Sequence, residues 1–434
     1  MSEHNRLRLP LFMVAAIAVC LAVPAAHGSI VVVGNCKGAS PYATIAAGIA
    51  SGAATVQVCP GTYPEQVFID RDMTLTGIAI SGGAAAVVIP PVGGLVANGT
   101  DIFGNPVAAQ ILVYHGTAVT ISNLVVDGTG NNLAGCGAPT LEGIYFEASY
   151  GKILNNVVRN QYQTDFADYG GCQNGLAINV EATVGVTVSI TGNSVRSYQK
   201  NGITATGAAT GLNASGPAVT ISRNYIVGLG ATAMNWPGGA AENGIQVGFG
   251  ATGTISSNTV NDNIWYADTN SQPQNAASGI LIYASSGVTV SANSVGSAQF
   301  GIVADTDPTY GPADNTSITT NKVVGAQIFD AIDVCSSSNT VKSNTIYGST
   351  QSAVHVDDTC GSGNNNSVTS NTINEACAGI LLGTGTGTTS SPNTFRNVTN
   401  TTLAGDICPA APQTARSLAK RSSPRASPYM PKRN

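Results

Sequence analysis

Two short signatures alternate along this chain from residue 121 onward, and their spacing limits the fold more than any other feature. One is a β-rich segment carrying an asparagine, at Asn123, Asn156, Asn193, Asn224, Asn258, Asn293, Asn321, Asn344 and Asn371, usually with Val or Ile two residues later. The other is a small residue before an aliphatic one: Gly143-Ile144, Gly175-Leu176, Gly202-Ile203, Gly244-Ile245, Gly279-Ile280, Gly301-Ile302, Ala331-Ile332, Ala353-Val354 and Gly379-Ile380. Nine paired signatures recurring every 22–42 residues imply nine similar coils. The shortest spacings, 22 and 23 residues, measure the bare coil, and longer ones carry inserts at 207–218, 231–241 and 267–277.

Runs such as Ala218-Val-Thr-Ile-Ser222 alternate apolar and polar residues, the period of a half-buried strand. No single coil holds enough apolar surface to fold alone, so the coils must stack around one column. The recurrent asparagine is expected at an inward bend, its amide bonding from coil to coil. A propeller blade needs four strands in roughly 40 residues, more than a 22-residue period can hold. The leucine ladder of leucine-rich repeats is absent, and no long segment has a helical apolar period.

Only 9% of the residues are charged, well under the roughly 25% usual in globular domains. Residues 29–408 carry 10 Lys/Arg and 22 Asp/Glu, whereas six Lys/Arg and no acid follow residue 408. That acidic body argues against a nucleic-acid-binding core. Arg6 and Arg8, the apolar run from Leu11 and the small residues near Ala25-Ala26 form an export signal over residues 1–28, too short for a membrane span. The expected organisation is signal 1–28, repeat domain 29–408 and a disordered basic tail 409–434, in a monomer secreted to the extracellular space or periplasm. Eight cysteines remain after cleavage, and neighbour pairing (36–59, 136–172, 335–360, 377–408) would staple individual coils or loops.

Residues 44–50 suit a short amphipathic helix closing the N-terminal end, and Pro60-Gly-Thr-Tyr63 follows in the first strands. This opening resembles that of pectin methylesterases and other members of the pectate-lyase-like superfamily, and residues 121–383 resemble the generic right-handed β-helix repeat region. The resemblance implies an all-β, right-handed parallel β-helix with a short N-terminal helical cap, and extracellular polysaccharide as partner. It names no activity. Asp101-Ile-Phe-Gly104 is similar to a pectin methylesterase segment but lacks its companion Gln and Arg motifs, and Asp357-Asp358 matches only one of the four polygalacturonase motifs. Asp307-Pro308 continues as Thr-Tyr, unlike the Asp-Pro-His-Asp of mannuronan epimerases.

In each coil the aliphatic residue of the second signature points inward, so residues two and four beyond the small residue should face outward. One outward column reads Tyr145, Ala177, Thr204, Gln246, Leu281, Val303, Asp333, His355, Leu381. The other reads Glu147, Asn179, Thr206, Gly248, Tyr283, Asp305, Cys335, Asp357, Gly383. Titratable groups gather in the late coils, where Asp333 would touch His355 across one coil step of about 4.8 Å. Asp305 and Asp357, two steps apart at roughly 9.6 Å, approach the upper limit for an inverting carboxylate pair. Hydrolysis by Asp305, Asp333 and Asp357 with help from His355 is therefore the leading enzymatic reading. Elimination or epimerisation by Tyr283 and His355 is a second, and a non-catalytic surface or adhesion protein a third. Asp305, Asp333 and Asp357 also offer carboxylate oxygens to Ca²⁺.

Overall fold

The computed structural model describes residues 28–404 apart from 39–40, 80–82, 170, 209–215, 231, 235–240, 268–276, 328 and 361–362. The export signal, all but Gly28, and the basic tail lie outside the described residues, as does Cys408.

Short strands repeat three to a coil and stack into three long sheets. Sheet I has 12 strands, from Ile30–Val33 to Ser367–Thr369, and sheet II has 12, from Gly61–Pro64 to Thr394–Arg396. Sheet III has 13, and its path runs from Val67–Ile69 to Asn400–Ala404. The stacking is parallel except where Gly99–Thr100 pairs antiparallel with Pro106–Tyr114. The nine signature coils occupy sheet III from Thr140–Glu147 to Ala378–Leu382, and further coils extend the stack at both ends. Among the described residues no helix is long and apolar enough to cross a membrane.

One apolar core threads the solenoid from Val33 to Ile380. A short coil shows the economy of the design. Val288, Val290, Val295, Ile302 and Ala304 all point inward and are fully buried. Each full aliphatic side chain contributes roughly 1.5–3 kcal/mol on burial, enough only when neighbouring coils close the column above and below. Helix α1 (Ile45–Ala50) packs Ile45 and Ile49 into this core beside the first strands, and Thr44 caps it by accepting from the Ala47 amide.

The corner between sheets I and II carries the asparagine ladder. The Asn156 amide N–H donates to Asn193 Oδ1 at 2.9 Å, while Asn156 Nδ2 donates to the same oxygen and to Ile121 O. The pattern repeats through Asn193, Asn224, Asn258, Asn293, Asn321, Asn344 and Asn371 to Asn393. The residue before each of the first eight rungs, from Asn155 and Gly192 to Ser370, has a positive φ, so the chain turns sharply there. Only one of these eight is glycine. A left-handed non-glycine residue costs on the order of 1 kcal/mol, and each rung offsets that with buried amide bonds. Asn123 departs from expectation: it is itself the left-handed residue (φ 56°), and Leu124 fills the rung.

Disulfides join Cys36–Cys59, Cys136–Cys172 and Cys335–Cys360. Cys377 is also disulfide-bonded.

Candidate functional site

The outer face of sheet III carries the outward columns, and the register corrects one coil. Ile178, not Leu176, aligns with Ile144 and Ile203, so Ala177-Ile178 is the signature there. Asn179 therefore joins the first column between Tyr145 and Thr204, and Glu181 joins the second between Glu147 and Thr206. Ala177 faces the core.

A third outward column exists that strict alternation hides. At the corner entering sheet III both the small residue and the aliphatic one after it point inward, as Ala331-Ile332 and Ala353-Val354 do. A side chain at Gly301 in this corner would collide with Val323 and the Ala331 carbonyl, which is why the position stays small. Two successive inward residues shift the parity, so the residue before the small one faces out. Glu142, Asn201, Asn243, Ser278, Phe300 and Ser352 occupy this column, as does Asp330.

Corrected columns give the face three polar regions. In the early coils, Asn179 Nδ2 donates to Glu142 Oε1 (2.9 Å) and Glu181 Oε1 (3.0 Å), while Tyr145 Oη donates to Glu181 Oε2 (2.9 Å). Burial raises the Glu181 carboxyl to about 7 despite these bonds, and burial with the Glu181 charge raises Glu142 well above the usual range. Titratable groups are thus not confined to the late coils. Asp101 is buried here but spends its carboxylate on its own turn, accepting from Phe103 N and Asn105 N. In the middle coils a small pocket is lined by Gln173, Leu176, Lys200, Asn201, Thr204 and Gln246, among others. Lys200, which the column reading left out, is buried, donates to Ala241 O at 3.0 Å, and is lowered by burial to about 7.

Of the sequence-derived candidates, the late coils bring Asp333 and His355 together. Asp333 and His355 are register partners on adjacent strands, and Asp305 pairs with Cys335 one coil before the level of Asp357. His355 Nδ1 lies 3.2 Å from Asp330 Oδ2 and 3.9 Å from Asp333 Oδ1. Burial alone would lower the imidazole, but Asp330, bonded to it, and then Asp333 and Asp357 raise it to about 10. Burial lifts both Asp305 and Asp333 well above the ordinary carboxylate range; further carboxylates add to this, and at Asp333 the His355 charge opposes it without reversing it. Both carboxyls are thus shifted toward their protonated forms relative to a solvated aspartate.

Tyr283 sits in an aromatic cluster with Phe249 and Tyr310, and its hydroxyl donates to Asp307. Burial, then that bond, raises the phenol far above its usual range. Asp357 accepts from Thr359 N and Oγ1. Asp305, Asp333 and Asp357 do not converge as the Ca²⁺ reading expected. Among the described residues the donor atoms of Asp330, Asp333 and His355 lie within 4.8 Å of one another. Asp305 instead faces Cys335 and Cys360, whose sulfurs are committed to a disulfide. Asp330, like Glu142, precedes the parity shift and so lies outside the columns that strict alternation gives.

Residues 211–395 match the family model described as "Right handed beta helix region". No curated protein matches the chain. Among solved structures, the Dettilon tailspike protein aligns over 81% of this chain and 63% of its own, at 14% identity and TM-score 0.53. The chain thus spans under two thirds of that tailspike. The Streptococcus pneumoniae surface protein and adhesin PfbA aligns over 83% and 95% at 13% identity, TM-score 0.48. DFA-IIIase from Arthrobacter chlorophenolicus A6, without its lid and in complex with GF2, aligns over 87% and 92% at 15% identity, TM-score 0.47. Three parallel sheets, a continuous asparagine ladder and the repeat-region match together make this chain a right-handed parallel β-helix protein.

Proposed function

We propose that the outer face of sheet III binds an extracellular, uronate-rich polysaccharide and hydrolyses it at the late-coil carboxyls. The observation that carries this reading is a row of hydrogen-bonding atoms that have no partner among the described residues. Glu142 Oε2, Asn179 Oδ1, Thr204 Oγ1, Ser278 Oγ, Asp305 Oδ1 and Asp333 Oδ1 are buried, unpartnered and distributed along this one face. An unmade buried hydrogen bond costs about 1–3 kcal/mol, and such groups at successive coils suit an extended, hydroxyl-rich ligand. Phe68 and Tyr114, both exposed and 6.5 Å apart at the N-terminal end of the face, supply aromatic surface for sugar rings.

For the chemistry, Asp305, its carboxyl raised by burial, is the proton donor and Asp357, two coils on, the base for water, with Cys335 in register after Asp305 and the Asp333–His355 pair in the neighbouring column. Elimination through Tyr283 and His355 is disfavoured: the phenol is engaged by Asp307 and the imidazole is held protonated, so neither is a base near pH 7. Disulfides fit an oxidising compartment, in keeping with export. In this reading helix α1 closes the N-terminal end of the core, and the chain acts as a monomer.

The test is release of reducing ends and of unsaturated products from pectic, alginate and neutral glycans by wild type, Asp305→Asn and Asp357→Asn. Hydrolytic products lost in both variants support the reading; unsaturated products would transfer the chemistry to elimination. A binding-only reading also has an observation in its favour, since Asp305, Asp333 and Asp357 are at most 5% exposed. Glycan binding without turnover, equal in all three proteins, would establish it.

A further inference from the structure

The corner that hides Asp330 from the sequence also builds a donor set with a different use. Asp330 and Asp333 flank the inward pair Ala331-Ile332, so both carboxylates emerge on the same side of one strand. His355 enters from the next coil, in register with Asp333. One carboxylate oxygen from each aspartate and one imidazole nitrogen lie within 4.8 Å of one another.

Two further observations separate this from an ordinary ion pair. First, Asp330 is oriented by outside support: its Oδ1 accepts from Ser352 N at 2.9 Å and from Ser352 Oγ, leaving Oδ2 facing the imidazole. Ligand carboxylates are held this way in metal sites. Second, Asp333 Oδ1, on a residue 3% exposed, accepts no hydrogen bond and faces the same gap.

We propose that Asp330, Asp333 and His355 bind one divalent transition-metal ion. Carboxylate oxygens with an imidazole nitrogen suit Zn²⁺ or Mn²⁺, whereas Ca²⁺ takes six to eight oxygens. The assignment does not depend on whether the face cleaves glycan.

The test is calorimetric titration of the chelator-stripped, disulfide-bonded chain with ZnCl₂, MnCl₂ and CaCl₂, with metal content measured after dialysis. The expected result is one equivalent of Zn²⁺ or Mn²⁺ bound in the micromolar range or tighter. Asp333→Asn and His355→Gln should each weaken it by about tenfold or more. Asp357→Asn, outside the donor set, should change it less than about threefold, and far-ultraviolet circular dichroism checks that each variant folds. Absence of Zn²⁺ and Mn²⁺ binding, affinity unchanged in both ligand variants, or Ca²⁺ binding alone would overturn the assignment.

Discussion

Replacing Asn258 with alanine isolates what one rung of the ladder contributes. Asn258 Nδ2 donates to Ile221 O and Asn293 Oδ1, both at 2.9 Å, and its Oδ1 accepts from Asn224 N and Asn224 Nδ2 at 3.0 and 2.9 Å. Alanine leaves the buried Asn224 N–H without a partner, strips one hydrogen of its amide, and removes a donor from Ile221 O. Each orphaned buried donor costs about 1–3 kcal/mol, so the loss should be roughly 3–5 kcal/mol. Asn393 is the contrasting case. It makes the same bonds to Asn371 but is only partly buried, so water can replace them. Asn393→Ala should therefore cost about 1–2 kcal/mol. Urea unfolding followed by circular dichroism measures both. The reasoning fails if Asn258→Ala is within about 0.5 kcal/mol of wild type, or no worse than Asn393→Ala.

Other perturbations test the outer face and the staples. Asp305→Asn should cut hydrolysis by about 10²–10⁴-fold by removing the proton donor, while Tyr283→Phe leaves turnover within a few-fold; equal losses would argue against these roles. Reducing Cys335–Cys360, or replacing both with serine, should lower stability by roughly 2–4 kcal/mol, visible as a shift in the urea midpoint. Stability should also fall as pH rises. The carboxyls of Asp305, Asp333, Glu142 and Glu181 are raised in the folded state, as is His355, so the folded chain holds protons the unfolded chain releases. The Glu181 contribution is complete below the ordinary carboxylate range and is lost as pH rises through about 7, and that of His355 is lost through about 10; Asp305, Asp333 and Glu142 act in the same direction. Lys200 has the opposite sign: lowered to about 7, it favours folding at high pH, and Lys200→Met should steepen the decline. A urea midpoint higher at pH 8.5 than at pH 5.5 would contradict this balance.

The repeat was legible because its signals are steric. Glycine or alanine must occupy the corner packed on sheet II, and asparagine is the residue whose side chain both donates and accepts between coils. The same logic broke down where two residues competed for one role. Gly175 stands two residues before the true corner at Ala177, so the sequence signature there is out of register with the fold and leaves Glu181 off the face. Asn123 precedes its rung by one residue and serves as the turn. Asp330 and Glu142 escaped because a period of two assumes an unbroken strand, and the corner breaks it. Burial was equally invisible: Asp305 and Asp333 belong to outward-facing columns in the sequence, yet they are at most 3% exposed.

The ladder has a consequence for how such a face can change. Each rung bonds only to the coil above and the coil below, so a whole coil inserted between two others would meet matching asparagines on both sides. Groups on the outer face are then movable along the axis only in whole steps of about 4.8 Å. Asp305 and Asp357 stand two steps apart, and one inserted coil would make that three without altering the local surroundings of either. Adjusting reach toward a longer or shorter sugar repeat becomes a matter of counting coils, while point substitution tunes only what each step presents.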